Sequence, residues 1–264
     1  MKIKIGTAIT LGGDSKYQLS PPITGLGVAA IRNGEGLYAG KDGGYVSSQF
    51  YGKRTLVFSG FCIGGTCAET QAWRTDFLNK LRIRYNYPIF IEDFVGNYYF
   101  TEGYLSDLKA DITGAKVWQY QVTFLCPDPL IYDGGDGINE NTTWITEPLY
   151  VGGNVIVNPG FDYAPIITLR GEMNNPSIIN TTTGKYFALE LITEADDILT
   201  IDMKNRIVTL DGDSGSESIN ANRTIDSSWW SLVRGTNELL IDGLTEESGD
   251  SAGEILYRKG YLGI

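Results

Sequence analysis

Between residues 117 and 124 the side chains alternate in character: Val117, Gln119, Gln121 and Thr123 are interleaved with Trp118, Tyr120, Val122 and Phe124. Successive side chains of an extended strand point to opposite faces, so this run gathers four large apolar groups on one face and predicts a half-buried strand. Short runs of the same kind, rich in β-branched and aromatic residues and parted by Gly, Asn and Asp, recur along the chain. Strands are expected at 44–50, 55–61, 89–94, 98–107 and 116–126, then at 144–151, 154–157, 164–171, 177–180, 186–191, 198–202, 207–210, 237–241 and 254–261. Thirty-three glycines against nine prolines suit the tight turns such a chain needs. The fold class is therefore mainly β.

One segment breaks the period of two. Thr66 followed three residues later by Glu69 has the spacing of a capping box, in which each side chain satisfies a free backbone N–H of the other residue. From Cys67 to about Arg82, Trp73, Phe77, Leu78 and Leu81 recur at helical spacing, while Arg74, Asp76 and Lys80 fall on the other side. A helix is expected here, its stripe laid on a sheet and its end made basic by Lys80, Arg82 and Arg84 beside the negative end of the helix dipole. Trp73 is expected in the core.

The length of 264 residues suits about two domains. The polar, glycine-rich stretch Asp133-Gly-Gly-Asp-Gly137 reads as a linker, giving domains at 1–133 and 134–264, the second a β-sandwich of eight or nine short strands.

Composition excludes much chemistry. The chain has no histidine, which removes Ser-His-Asp and Cys-His nucleophile pairs and the HExxH zinc site. Three cysteines, Cys62, Cys67 and Cys126, form neither a disulfide framework nor a four-ligand zinc knot, and are read as buried thiols. Thirty-two acids against 21 bases leave a formal charge of −11, which disfavours binding to a phosphate backbone. No apolar run reaches the length of a signal peptide or a membrane span, so folding in a cytoplasm is expected, and the sequons at Asn141, Asn180 and Asn222 are not expected to carry glycans.

Other motifs have bland readings. Gly25-Leu-Gly27-Val-Ala-Ala30 imitates a dinucleotide loop, but Pro21-Pro22 stands where a buried strand belongs and no βαβ unit follows. Asp211-Gly-Asp213-Ser-Gly-Ser-Glu217 spaces carboxylates two apart, yet Gly215 and Ser216 occupy the places of a third ligand and the turn glycine, and Asn222 replaces the closing Glu. Trp229-Trp230 is the local candidate for stacking on a sugar, against the reading that one ring is core and the other packs under a loop. No catalytic, cofactor-binding or metal-binding residue is assigned. A pair of carboxylates distant in sequence, as in a hydrolase, and a stand-alone carbohydrate-binding sandwich are the competing classes.

Four segments together resemble a known family. They are Arg54-Thr-Leu-Val-Phe-Ser-Gly60 with Trp73-Arg-Thr-Asp-Phe-Leu-Asn-Lys-Leu81; residues 118–129, ending Phe-Leu-Cys-Pro-Asp-Pro; Asn158-Pro-Gly-Phe-Asp-Tyr-Ala-Pro-Ile-Ile-Thr-Leu-Arg-Gly171 with Asn175-Pro and Asn180-Thr-Thr-Thr-Gly184; and Leu199-Thr-Ile-Asp-Met-Lys-Asn-Arg-Ile-Val-Thr-Leu210 with Ile255-Leu-Tyr-Arg258. In order and spacing the chain resembles the distal tail proteins of siphophages. That resemblance implies an N-terminal belt domain, a β-sandwich with one α-helix and a β-hairpin, which forms a homohexameric ring, and a C-terminal galectin-like or jelly-roll sandwich. It implies a structural virion protein at the tail tip, assembled in the host cytoplasm, without enzymatic activity or cofactor. The implied partners are the tail-tube protein, the tape-measure protein, the tail-associated lysin or tail fibre protein and a receptor-binding protein. The charge of −11 suggests a lumen that does not grip passing DNA.

Overall fold

The computed structural model describes residues 1–7, 9–212, 215–244 and 252–264. It divides into two compact units, Met1–Thr143 with Tyr261–Ile264, and Trp144–Gly260.

The first unit contains β1 (Lys2–Ile5), β2 (Ile9–Gly12), β3 (Gln18–Thr24), β4 (Ile31–Leu37), β5 (Gly44–Tyr51), β6 (Arg54–Ile63), α1 (Cys67–Lys80), β7 (Asn86–Glu92), β8 (Tyr98–Gly114), β9 (Val117–Cys126) and β10 (Ile131–Asp133). One continuous sheet runs β2-β1-β7-β8-β9-β6-β3, with β10 joined to β8, and β4 and β5 form a separate two-stranded sheet. Ile9 and Leu11 of β2 share one buried cluster with Leu56 and Phe58 of β6, so strands far apart in the sheet order curl around common filling. The alternation read in β9 supplies much of it, since Trp118, Tyr120, Val122 and Phe124 are all buried.

The helix seals this core with fewer residues than its stripe predicts. Phe77 is fully buried, its ring centroid 5.2 Å from Trp118, 5.1 Å from Tyr120 and 5.0 Å from Tyr17. Leu81 is also buried, whereas Trp73 and Leu78 are half-buried. Arg74, expected to face away, donates from Nε to the carbonyl of Ala110 at 2.8 Å. The helix thus rests on its edge residues as well as its stripe. Its start is capped as expected on one side, with the Thr66 hydroxyl accepting from the N–H of Glu69. The reciprocal bond reaches one residue further back, because Glu69 accepts from Gly65 at 2.8 Å.

Arg54 closes the unit. Its buried guanidinium donates to four backbone carbonyls, those of Gly25, Gly27, Pro129 and Leu262, with both Nε and Nη2 directed to Pro129. The Gly25–Gly27 segment that imitates a dinucleotide loop is therefore an acceptor for a structural arginine. The prolines before it do lie on a strand, but β3 is the edge of the sheet and its register breaks between Ser20 and Thr24, where a residue without an N–H is tolerated.

The second unit contains β11 (Ile145–Leu149), β12 (Gly152–Asn158), β13 (Ile166–Arg170), β14 (Met173–Asn180), β15 (Lys185–Ala188), β16 (Ile198–Asp202), β17 (Ile207–Gly212), β18 (Gly215–Ser218), β19 (Gly235–Leu244) and β20 (Gly253–Tyr257). They make a six-stranded sheet, β11-β20-β13-β16-β17-β18, and a four-stranded one, β12-β19-β14-β15. Alternate residues of both sheets are buried, among them Ile167, Leu169, Leu199, Ile201 and Ile255 from the first and Ile156, Ile178, Leu239 and Ile241 from the second. Tyr257 of the larger sheet donates to the carbonyl of Val157 in the smaller at 3.1 Å.

The junction between units lies at Thr143 and Trp144, beyond the glycine-rich stretch from which a linker was expected. That stretch is built into the first unit. Gly134 donates to the carbonyl of Tyr98, and Asp136 accepts from the N–H groups of Ile138 and Asn139 and from the Thr142 hydroxyl.

Candidate assembly surface

The β4–β5 hairpin of the first unit leaves apolar residues bare on both of its faces, whereas exposed apolar residues such as Phe94 and Val95 lie in a turn. Register pairs Ile31 with Tyr51, Arg32 with Phe50, Asn33 with Gln49 and Gly34 with Ser48, then shifts before Glu35 pairs with Val46, Gly36 with Tyr45 and Leu37 with Gly44. Opposed residues share a face, so Ile31, Val46 and Leu37 lie on one side and Phe50 and Tyr45 on the other. All five are exposed, Leu37 at 88% and Phe50 at 61%. A lone two-stranded hairpin is marginally stable in water, and apolar groups bare on both faces are the mark of a surface that meets another chain.

The hairpin is nonetheless well defined within itself. The Tyr45 ring lies over Gly36, where a Cβ on the glycine would come within 2.7 Å of it. Tyr38 stacks at 5.9 Å from Tyr45, and the Lys41 ammonium sits 4.3 Å from the Tyr38 ring. Gln49 donates to the Asn33 side chain at 3.2 Å across the strands.

Charge is distributed very unevenly between the two units. Residues 1–143 carry thirteen Lys and Arg against fourteen Asp and Glu, a net of −1, while 144–260 carry eight against eighteen, a net of −10. The acid excess thus belongs to the second unit.

The remaining motifs resolve into structure. Trp230 is buried, and Trp229 is half-buried with its ring 4.9 Å from Phe187 and 5.6 Å from the Arg223 guanidinium. Neither lies on a strand, and the partly exposed ring is already stacked. The segment that invited a calcium reading forms the β17–β18 hairpin, with Asp211 opposite Ser216, while Asp213 and Ser214 fall outside the described residues. Among the described residues no three His, Cys, Asp or Glu side chains gather as metal ligands, and no helix is long and apolar enough to cross a membrane. Cys62 and Cys126 are buried, and burial pushes the Cys126 thiol up to about 11. Cys67 is exposed, contrary to the reading of three buried thiols, because the first helical residue lies outside the covered stripe.

Comparison with known proteins places the fold. Residues 153–261 match the model of the siphovirus-type tail component, C-terminal domain. The chain is 27% identical over 245 residues to the distal tail protein of Bacillus phage SPP1, covering 90% of this chain and 91% of that protein. Among solved structures, that of SPP1 Dit, described as a hub adsorption apparatus protein, matches with a TM-score of 0.66 at 17% identity over 90% of this chain and 91% of that one. A chain of the phage P2 baseplate in its activated conformation with calcium matches with a TM-score of 0.50 at 11% identity, covering 97% of each. The resemblance read in the four sequence segments is borne out by these matches, and the residues matched by the siphovirus-type tail component model lie almost wholly in the second unit.

Proposed function

We propose that this chain is a structural protein of the phage tail tip, in which the first unit builds a ring of six copies and the second, a galectin-like sandwich, is a docking platform. The single observation that carries the ring is the β4–β5 hairpin, with apolar residues bare on both faces of a unit whose own core is already filled. Identical subunits that meet through unlike surfaces close into a ring when the rotation between them closes. A hairpin reaching from one copy to its neighbour is such a surface. The similarity to a distal tail protein over nine-tenths of the chain supports the setting: a joint between the tail tube with its tape-measure protein on one side and a tail-associated lysin or fibre with a receptor-binding protein on the other. The work is mechanical, and no chemical step is assigned to any residue.

The test is native mass by light scattering across a range of concentrations. Six copies of 29.0 kDa make a particle of about 174 kDa, which is the expected species, alone or doubled face to face. A chain that stays at 29.0 kDa at every concentration overturns unaided ring closure. A chain that does so and binds glycans favours the carbohydrate-binding alternative, which the stacked Trp229 ring argues against.

A further inference from the structure

The four sheet edges of the second unit are β11 and β18 in the larger sheet and β12 and β15 in the smaller. An open edge is a template for pairing with another chain, and folded proteins guard it with charge, proline, short length or a covering segment. Three of the four are guarded in these ways. β11 carries Glu147 and Pro148, and β18 is four residues long and carries Glu217. β15 is overlaid: Leu189 just beyond it bridges to Arg223, and Ser227 bonds both the N–H and the carbonyl of Ala188.

β12, whose seven residues are Gly-Gly-Asn-Val-Ile-Val-Asn, has no charge, no proline and, among the described residues, no overlying segment, although its Val157 carbonyl is engaged by the Tyr257 hydroxyl. Asn154, Ile156 and Asn158 point inward and are buried. The alternate positions form an outward row with Val155 at 63% and Val157 at 52% exposure, extended by exposed Val151 and by Leu240 opposite Gly153. This uncharged, β-branched edge sits in a unit of net charge −10, with exposed Glu238 directly opposite Val155.

We infer that β12 is a strand-addition site, and that its occupant is an extended segment of a different tail protein bearing alternate β-branched side chains flanked by Lys or Arg. Strand addition takes its affinity from main-chain hydrogen bonds along the edge and its specificity from alternate side chains. The outward row of Val151, Val155 and Val157 dictates small or β-branched residues beside it on that face. Electrostatics selects the flanks: a second copy would bring another unit of −10 against the first, whereas cationic flanks are attracted to Glu238 and to the unit as a whole. The site belongs to the second unit and does not depend on ring formation.

The experiment uses the full chain and two synthetic peptides, each of four alternating Val-Thr pairs, one flanked by two lysines at each end and the other by two glutamates. Amide NMR during titration is expected to show the lysine-flanked peptide perturbing Gly153, Val155 and Val157, with at least about tenfold tighter binding than the glutamate-flanked one, a difference that shrinks with salt. In the Val155→Lys/Val157→Lys variant binding is expected to fall at least about tenfold with an unchanged melting temperature, because both side chains are exposed. Equal binding of both peptides overturns the electrostatic choice of partner. Perturbation centred on β4–β5, or no binding at millimolar peptide, overturns the site. A change in the self-association of the lysine variant makes a second copy the occupant and overturns the inference, while leaving the ring reading in place.

Discussion

Phe77 and Phe50 are the same residue in the same unit with opposite fates. Phe77 has no exposed surface and is boxed by Tyr17, Trp118 and Tyr120, whereas Phe50 is 61% exposed on a separate two-stranded hairpin. The difference lies in the element that carries each. A helix laid on a curled sheet turns a side chain into existing filling, while a two-stranded ribbon has no third layer to turn toward. The core residues hold the unit together, and the hairpin residues are left bare.

Substitutions separate those two roles. Phe77→Ala removes a ring from a closed aromatic box and is expected to cost about 3–5 kcal/mol, measured by denaturant unfolding. Arg54→Met follows at about 2–4 kcal/mol, since it leaves four carbonyls short of a donor, and Arg54→Lys recovers only part of this because an ammonium cannot reproduce the planar fork. Trp73→Ala, on the half-buried side of the helix, is expected to cost about 1–2 kcal/mol, less than a fully buried position in the stripe would. If Trp73 proved as costly as Phe77, the two sides of α1 would share the sealing equally.

On the hairpin, Ile31→Ser/Phe50→Ser is expected to change unfolding by less than about 0.5 kcal/mol while lowering the mass seen by light scattering toward the single chain. A large loss of stability there would turn the hairpin into core and break the contrast. The smallest effect is electrostatic. The Asp76 carboxyl accepts from Lys80 at 3.0 Å and from the Tyr17 hydroxyl, and the bond to Lys80 holds it below the ordinary value of 3.8. A carboxyl held low in the fold contributes stability above its unfolded value, and that contribution is lost as pH falls through the lower, folded one. Asp76→Asn should flatten that part of the acid-unfolding curve slightly, because the pair is solvent-screened.

What could be read in advance followed from one-sided burial. β9 was legible because one face is core and the other polar, and β16 was found at its observed bounds for the same reason. α1 announced itself through Thr66 and Glu69, whose cap is local chemistry. Of the hairpin, only β5 was legible: β4 reads Ile-Arg-Asn-Gly-Glu-Gly-Leu, and with both faces exposed no alternation marks it. β18, Gly-Ser-Glu-Ser with four exposed residues, was hidden for the same reason. The linker reading failed because a glycine-rich polar run looks alike whether free or pinned, and what pins it is Asp136 bonding residues that follow it. The bare row on β12 has the alternation of any strand, and only the sheet order reveals it as an edge.

The arginine clamp also sets a clock. Arg54 takes carbonyls from residues 25, 27, 129 and 262, so the first unit brackets the whole of the second along the chain. During synthesis the guanidinium waits, partly unsatisfied, while more than a hundred residues of sandwich emerge between its third acceptor and its last. Domains made of contiguous sequence can finish as they leave the ribosome, whereas this one closes only after Leu262 is available. The order of events is thereby fixed: the whole of the second unit is synthesised before the last acceptor of the first unit's arginine is available.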